Sequence, residues 1–314
     1  MREFLFVVCL VVMAFAAATA QEPESAFSQP YEGPHWKVRG GLTLALHDAK
    51  VPDDGAPRGL LRIILPLEPG EAGAKSLNFI AVEPCVQEGI RALSELQPSP
   101  SDGQRGVKFW FGDVSRTRTR LRQTIRMEKF ENGAHPYLIA ELRADKPMEV
   151  RFEVYAEPDS APMKACILTA TMGNYQRLRV LKLKDRTATV EDLLPNDPGD
   201  HFSPHAVVPL SQLLRNKAGA VVYSEGNEND PKVLSAQLPQ RSHWRYYGPN
   251  FTQYWRQPEP VDPDLRVLVN ARKVYWAGTI PIPGGKSFEN FEMNAAFHPG
   301  QVFIYGVRPP TANP

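Results

Sequence analysis

The stretch Glu149-Val150-Arg151-Phe152-Glu153-Val154-Tyr155 decides the fold. Val150, Phe152 and Val154 fall on one side of an extended chain, and Glu149, Arg151 and Glu153 on the other. That period of two is the signature of a half-buried strand. Runs of the same character recur at 42–47, 60–65, 78–83, 107–111, 137–143, 167–172, 177–184, 265–270, 273–280, 288–293 and 301–307. In 177–184 the apolar phase slips between Val180 and Leu181, as a β-bulge would make it do. Thirty Pro and 22 Gly punctuate the chain and leave little room for long helices. Two short helices are expected, at 87–96 through Ile90, Leu93 and Leu96, and at 210–215 through Leu210, Leu213 and Leu214. The sequence therefore predicts an all-β protein, a large antiparallel β-sandwich with one or two short helices. No internal repeat of fixed period is visible.

The chain has 314 residues, with 36 Lys and Arg against 35 Asp and Glu. A chain of this length buries enough surface to fold without disulfides or metal. Its hydrophobic content of 42% excludes a wholly disordered chain. The balanced charge argues against nucleic acid as the main partner. Residues 1–20, MREFLFVVCLVVMAFAAATA, combine a basic start, an apolar run and the small-x-small end Ala18-Thr19-Ala20. This is the pattern of a secretory signal peptide, with an apolar run too short for a membrane span. The expected organisation is a signal peptide at 1–20, a flexible mature N-terminus at 21–33, and a single β-sandwich domain at 34–314. The expected location is secreted or periplasmic, with no membrane span after cleavage. Cys85 and Cys166 remain in the mature chain, and spacing leaves a disulfide and two buried thiols equally open.

Most catalytic signatures are missing. There is no G-x-S-x-G, no H-E-x-x-H, and Gly285-Lys286-Ser287 lacks the earlier glycine of a phosphate loop. His201 and His205 stand four apart, but Pro204 between them opposes the helix that would aim both at zinc. Neither a metal nor a cofactor is predicted. Arg116, Arg118, Arg120, Arg122 and Arg126 all occupy even positions. On one strand they would form a stripe able to grip an acidic polymer, or a solvated face paired with acids such as Glu149 and Glu153.

The densest constellation spans 242–256, Ser-His-Trp-Arg-Tyr-Tyr-Gly-Pro-Asn-Phe-Thr-Gln-Tyr-Trp-Arg. Aromatic rings with polar tips suit either a sugar-binding surface or a core seam. As a site, Trp244, Tyr247 and Trp255 are candidate stacking platforms, and Arg245 would neutralise a uronate carboxylate. The candidate catalytic residues are His205, His243 and Tyr254 as proton acceptors, with Arg256 stabilising developing charge. Asn250-Phe251-Thr252 also matches a glycosylation acceptor. Glu83, Glu95, Glu289 and Glu292 are further acids. Glu289 and Glu292 would point to opposite faces of a strand, and nothing in the sequence pairs any two of them.

The blocks Asn78-Phe-Ile-Ala-Val-Glu-Pro84, Arg91-Ala-Leu-Ser-Glu95, Asp159-Ser-Ala-Pro162, Thr252-Gln-Tyr-Trp-Arg256 and Phe288-Glu-Asn-Phe-Glu292 resemble an exported bacterial β-sandwich family. The chain is also similar in architecture to galactose-mutarotase-like carbohydrate-active proteins. That likeness implies a sandwich and a carbohydrate ligand, and carries no matched catalytic motif. The favoured expectation is an exported protein that binds carbohydrate and processes it as a polysaccharide lyase acting on a uronate-containing, acidic polysaccharide. Two alternatives stand beside it: a noncatalytic glycan-binding or envelope scaffold protein, and a two-carboxylate glycoside hydrolase.

Overall fold

A computed structural model describes residues 25–29, 33–46, 58–65, 75–172, 176–200, 204–226, 251–274 and 281–308. The expected signal peptide lies outside them. The alternating runs form two antiparallel sheets that pack face to face as an all-β sandwich.

The first sheet has nine strands. In spatial order they are Phe27–Ser28 (β1), His35–Val38 (β2), Thr43–Leu46 (β3), Leu60–Leu65 (β4), Lys75–Cys85 (β5), Ala165–Met172 (β10), Ser287–Asn294 (β18), Arg266–Arg272 (β17) and Ala206–Pro209 (β13). The second has ten, in the order Thr187–Thr189 (β12), Val180–Lys182 (β11), Gly219–Glu225 (β15), Thr252–Gln257 (β16), Gln301–Arg308 (β19), Glu149–Ala156 (β9), Pro136–Arg143 (β8), Arg120–Met127 (β7) and Phe109–Arg116 (β6), with Leu214–Asn216 (β14) branching from β15.

The deciding stretch is β9, with Val150, Phe152 and Val154 fully buried between the sheets. Trp255, Phe288, Phe291, Phe303 and Tyr305 fill the same layer. Polar contacts cross it in several places. Trp36 Nε1 donates to Gln123 Oε1 at 3.0 Å, and Trp255 Nε1 to the Phe291 carbonyl at 2.8 Å. Gln253 Oε1 accepts from both Asn78 Nδ2 (2.9 Å) and the Tyr305 hydroxyl (2.6 Å). Buried polar groups seek partners, and here the opposite sheet supplies those of Trp36, Trp255 and Asn78, while Tyr305 finds Gln253 on the adjacent strand of its own sheet.

The phase slip at Val180 has a different cause from the expected bulge. Leu178 bridges to Phe288 in the nine-stranded sheet, while Val180 pairs with Glu225 in the ten-stranded one. The chain changes sheets between them. Arg177 is fully buried beside that corner and pairs with Glu289, and Arg179 donates to the carbonyls of Pro283, Gly285 and Lys286.

The helices are corrected as well. Residues 87–96 form turns and bridges rather than a helix, and 210–215 contain a 3-10 turn at Leu210–Gln212 and then the start of β14. Among the described residues the one α-helix lies at Val190–Leu193, where Thr189 and Asp192 form a capping box. Ala165 pairs with Cys85 and Cys166 with Pro84, so the cysteines occupy adjacent strands but point to opposite faces of the sheet. Both are free buried thiols, and burial pushes each pKa up.

Candidate functional site

The outer face of the nine-stranded sheet carries a buried charge cluster. Thr169 on β10 pairs with Ala81 on one side and Glu292 on the other, and Glu83 lies two residues along β5. These positions alternate with the core residues Val82, Leu168 and Met293, so they face away from the sandwich. They are nonetheless sealed, because the chain after β5 folds back over them. Ser94 is the fastener. Its Oγ accepts from Val82 N at 2.9 Å and donates to the Gly59 carbonyl at 2.6 Å, and Ala92 N donates to the Pro84 carbonyl. Gly59 has φ +78°, and a Cβ there would sit 2.1 Å from the Ser94 carbonyl oxygen, so only glycine allows the approach.

That return lowers Arg91 onto the acids. Its Nη1 meets Glu83 Oε2 at 2.7 Å and its Nη2 meets Glu292 Oε1 at 2.6 Å. Glu292 Oε2 accepts from the Thr169 hydroxyl at 2.6 Å. His205, immediately before β13, places Nε2 3.6 Å from Glu292 Oε1. The Glu292 side chain is 0% exposed and that of His205 26%, so the histidine is the cluster's open side.

Too many carboxyls share one guanidinium in a dry setting. Burial, reinforced by the neighbouring Glu292 and Glu95 and opposed by Arg91, pushes the Glu83 carboxyl up to about 8. Burial also raises Glu95. Burial lowers His205, with Arg91 acting in the same direction and Glu292 against it. At neutral pH the arrangement holds a protonated acid and an unprotonated base around one ion pair. Among the described residues no group of three or more His, Cys, Asp or Glu is set to hold a metal.

The remaining expected site residues do not join this cluster. Tyr254 and Arg256 lie on the outer face of the other sheet. There the Tyr254 hydroxyl donates to Glu149 Oε1 at 2.7 Å, and Arg256 Nη2 meets both Glu149 oxygens at 3.0 Å. Burial and the bond to Glu149 raise the Tyr254 phenol, so its proton stays on the oxygen and is committed to Glu149. Trp255 cannot be a sugar platform. Between its two outward neighbours it points inward, is 0% exposed, and packs on Tyr305 with ring centroids 5.2 Å apart. His243, Trp244, Arg245, Tyr247 and the acceptor Asn250 lie outside the described residues.

The arginine stripe is likewise not one strand. Thr117 to Thr119 turn the chain between β6 and β7. Arg122 pairs with Glu141 and Glu153, and Arg126 with Glu157. Arg91 is the residue the sequence reading passed over. It belongs to no alternating run, and only the return of residues 86–107 over the sheet gives it a role.

No protein-family model matches the chain, and no curated protein matches it. Among the described residues no helix is long and apolar enough to cross a membrane.

Proposed function

We propose that this is an exported carbohydrate-binding protein that processes a uronate-containing glycan by acid–base chemistry at the Glu83–Arg91–Glu292–His205 cluster. The observation that carries the reading is geometric: Arg91 meets Glu83 at 2.7 Å and Glu292 at 2.6 Å, and the partly exposed His205 stands 3.6 Å from Glu292, with burial pushing Glu83 up and His205 down. The favoured chemistry is β-elimination. His205 Nε2 accepts the proton beside the uronate carboxylate, and the C–H electron pair becomes the new double bond. The glycosidic C–O bond breaks, and the proton taken up by His205 passes to the leaving oxygen, while sealed Glu83 holds Arg91 in place. Arg91 stabilises the negative charge that develops on the carboxylate. Tyr254 and Arg256, on the other sheet, take no part.

The sealing of Glu292 favours a second reading, a noncatalytic glycan-binding scaffold in which the cluster is structural. Incubation with a panel of uronate polymers separates the readings. The lyase reading expects unsaturated-product absorbance that falls by roughly 100-fold or more in His205→Ala. Polymer binding without any absorbance leaves the scaffold. New reducing ends without absorbance indicate a two-carboxylate hydrolase instead.

A further inference from the structure

The outer face of the ten-stranded sheet is built on a different plan from the sealed cluster. Half-buried tyrosines lie along it among arginines. Tyr137 and Tyr155 stack with centroids 5.2 Å apart and planes 13° apart, and the Arg126 guanidinium stands 5.4 Å from the Tyr137 ring. Towards the other edge Tyr223 and Tyr254 meet edge to face at 5.6 Å, with Arg308 3.9 Å from the Tyr223 centroid.

One end of this face is basic in a way the fold does not require. Arg120 on β7 is directly opposite Arg143 on β8, and both are exposed. Like charges opposed across a strand pair cost stability. Arg118 stands beside them at the hairpin tip and Lys146 in the next turn. The nearby acids are already engaged, Asp145 by Arg143 and Glu149 by Tyr254, Arg256 and, more loosely at 3.8 Å, Lys146. Among the described residues neither the Arg118 nor the Arg120 side chain meets an acid. This end borders a depression lined by Glu141, Arg143, Lys146, Glu149, Arg151 and Ile304.

We infer that this face is a binding surface for an acidic polysaccharide lying across the strands, with its carboxylates against Arg118, Arg120, Arg143 and Lys146 and its sugar rings against the tyrosines. From β7 to β16 the path crosses β8, β9 and β19, roughly 19 Å, enough for several sugar residues. Spaced charge suits the face better than a phosphate at every unit, because Glu141, Glu149 and Glu153 interrupt the cations and would repel a denser polyanion. The surface rests on the proposed function only for the choice of a uronate polymer. It lies on the opposite side of the sandwich from His205.

The test is affinity electrophoresis and calorimetry of the whole mature protein with polygalacturonate, using a neutral glucan, a sulfated glycan and a short DNA duplex as comparisons. The expected result is polygalacturonate binding that weakens with salt, with at most weak binding of the glucan. Arg120→Ser/Arg143→Ser should lose about tenfold in affinity, the sum expected of two exposed charge contacts, while melting no lower than the parent. Arg186→Ser, an exposed cation in the turn between β11 and β12 at the other edge of the sheet, should bind as the parent does. Unchanged affinity in the double variant, equal retention by the neutral glucan, or tighter binding of the sulfated glycan or DNA would each overturn the inference. Intact binding with no turnover on any polymer sinks the acid–base reading and leaves this surface standing.

Discussion

Tyr254 reaches across Gly306, its partner on the neighbouring strand, and donates its hydroxyl to Glu149 one strand further on. A Cβ at Gly306 would lie 2.2 Å from Tyr254 Cζ, so the bond exists because that position is empty. Gly306→Ala should therefore expel the ring and break the Tyr254–Glu149 bond. The expected loss is about 1–3 kcal/mol by urea denaturation, the scale of overpacking a filled site. The same substitution combined with Tyr254→Ala should cost little beyond Tyr254→Ala alone.

Glu83 should leave a mark on the pH dependence of stability. Its carboxyl moves from the ordinary 4.5 up to about 8 on folding, so the folded chain holds a proton that the unfolded chain releases. That contribution is fully present below pH 4.5 and is lost as pH rises towards about 8. One whole proton corresponds to a slope of about 1.4 kcal/mol per pH unit. Denaturation curves across this window should be flatter for Glu83→Gln than for the parent. Parallel slopes would remove Glu83 as a buried acid.

Arg91 pairs with the buried Glu292 carboxylate and hydrogen-bonds the Glu83 carboxyl beside it. Arg91→Met should destabilise the fold by about 3–5 kcal/mol, the cost of leaving a buried charge without its partner. Adding Glu292→Gln to it should recover part of that loss, so a double-mutant cycle should give a large coupling between the two positions.

Trp255→Ala should cost about 3–5 kcal/mol, as a core ring does, and should abolish sugar binding only where it abolishes folding. A variant that folds as the parent does but no longer binds would contradict the inward placement of the ring.

The thiols give a chemical check. Cys85 and Cys166 should resist a thiol reagent in the native protein and react once it is unfolded, and reductant should leave the melting temperature unchanged. Retention of a bond between them would require one strand to turn over, because they face opposite ways.

The strands were legible wherever apolar and polar residues alternate under one burial regime. Leu60–Leu65 is bounded as its pattern predicts, and β8, β9, β18 and β19 differ from theirs by a residue or so. Residues 87–96 misled because Ile90, Leu93 and Leu96 have helical spacing, yet Ile90 and Leu96 are exposed and the segment is held by Ser94 and Arg91 instead. The slip at Val180 was visible, but local pattern alone does not distinguish a bulge from a change of sheet. For the site, composition drew attention to 242–256, where adjacent residues on β16 serve opposite surfaces. Glu83, Arg91 and Glu292 come together through a pairing between distant strands and a return of the chain, and neither has a sequence period.

The amide of Gln253 has a consequence for how the two layers can move. Tyr305 on the adjacent strand of the same sheet fixes its oxygen, and Asn78 of the other layer donates to it, so sliding one layer past the other by a residue pair would break that cross-layer bond in a dry interior. A greasy interface alone would tolerate such slippage. These contacts work as a detent, permitting one alignment of the layers and holding the two outward surfaces, one acidic and sealed, the other tyrosine-lined and basic, in a constant relative orientation.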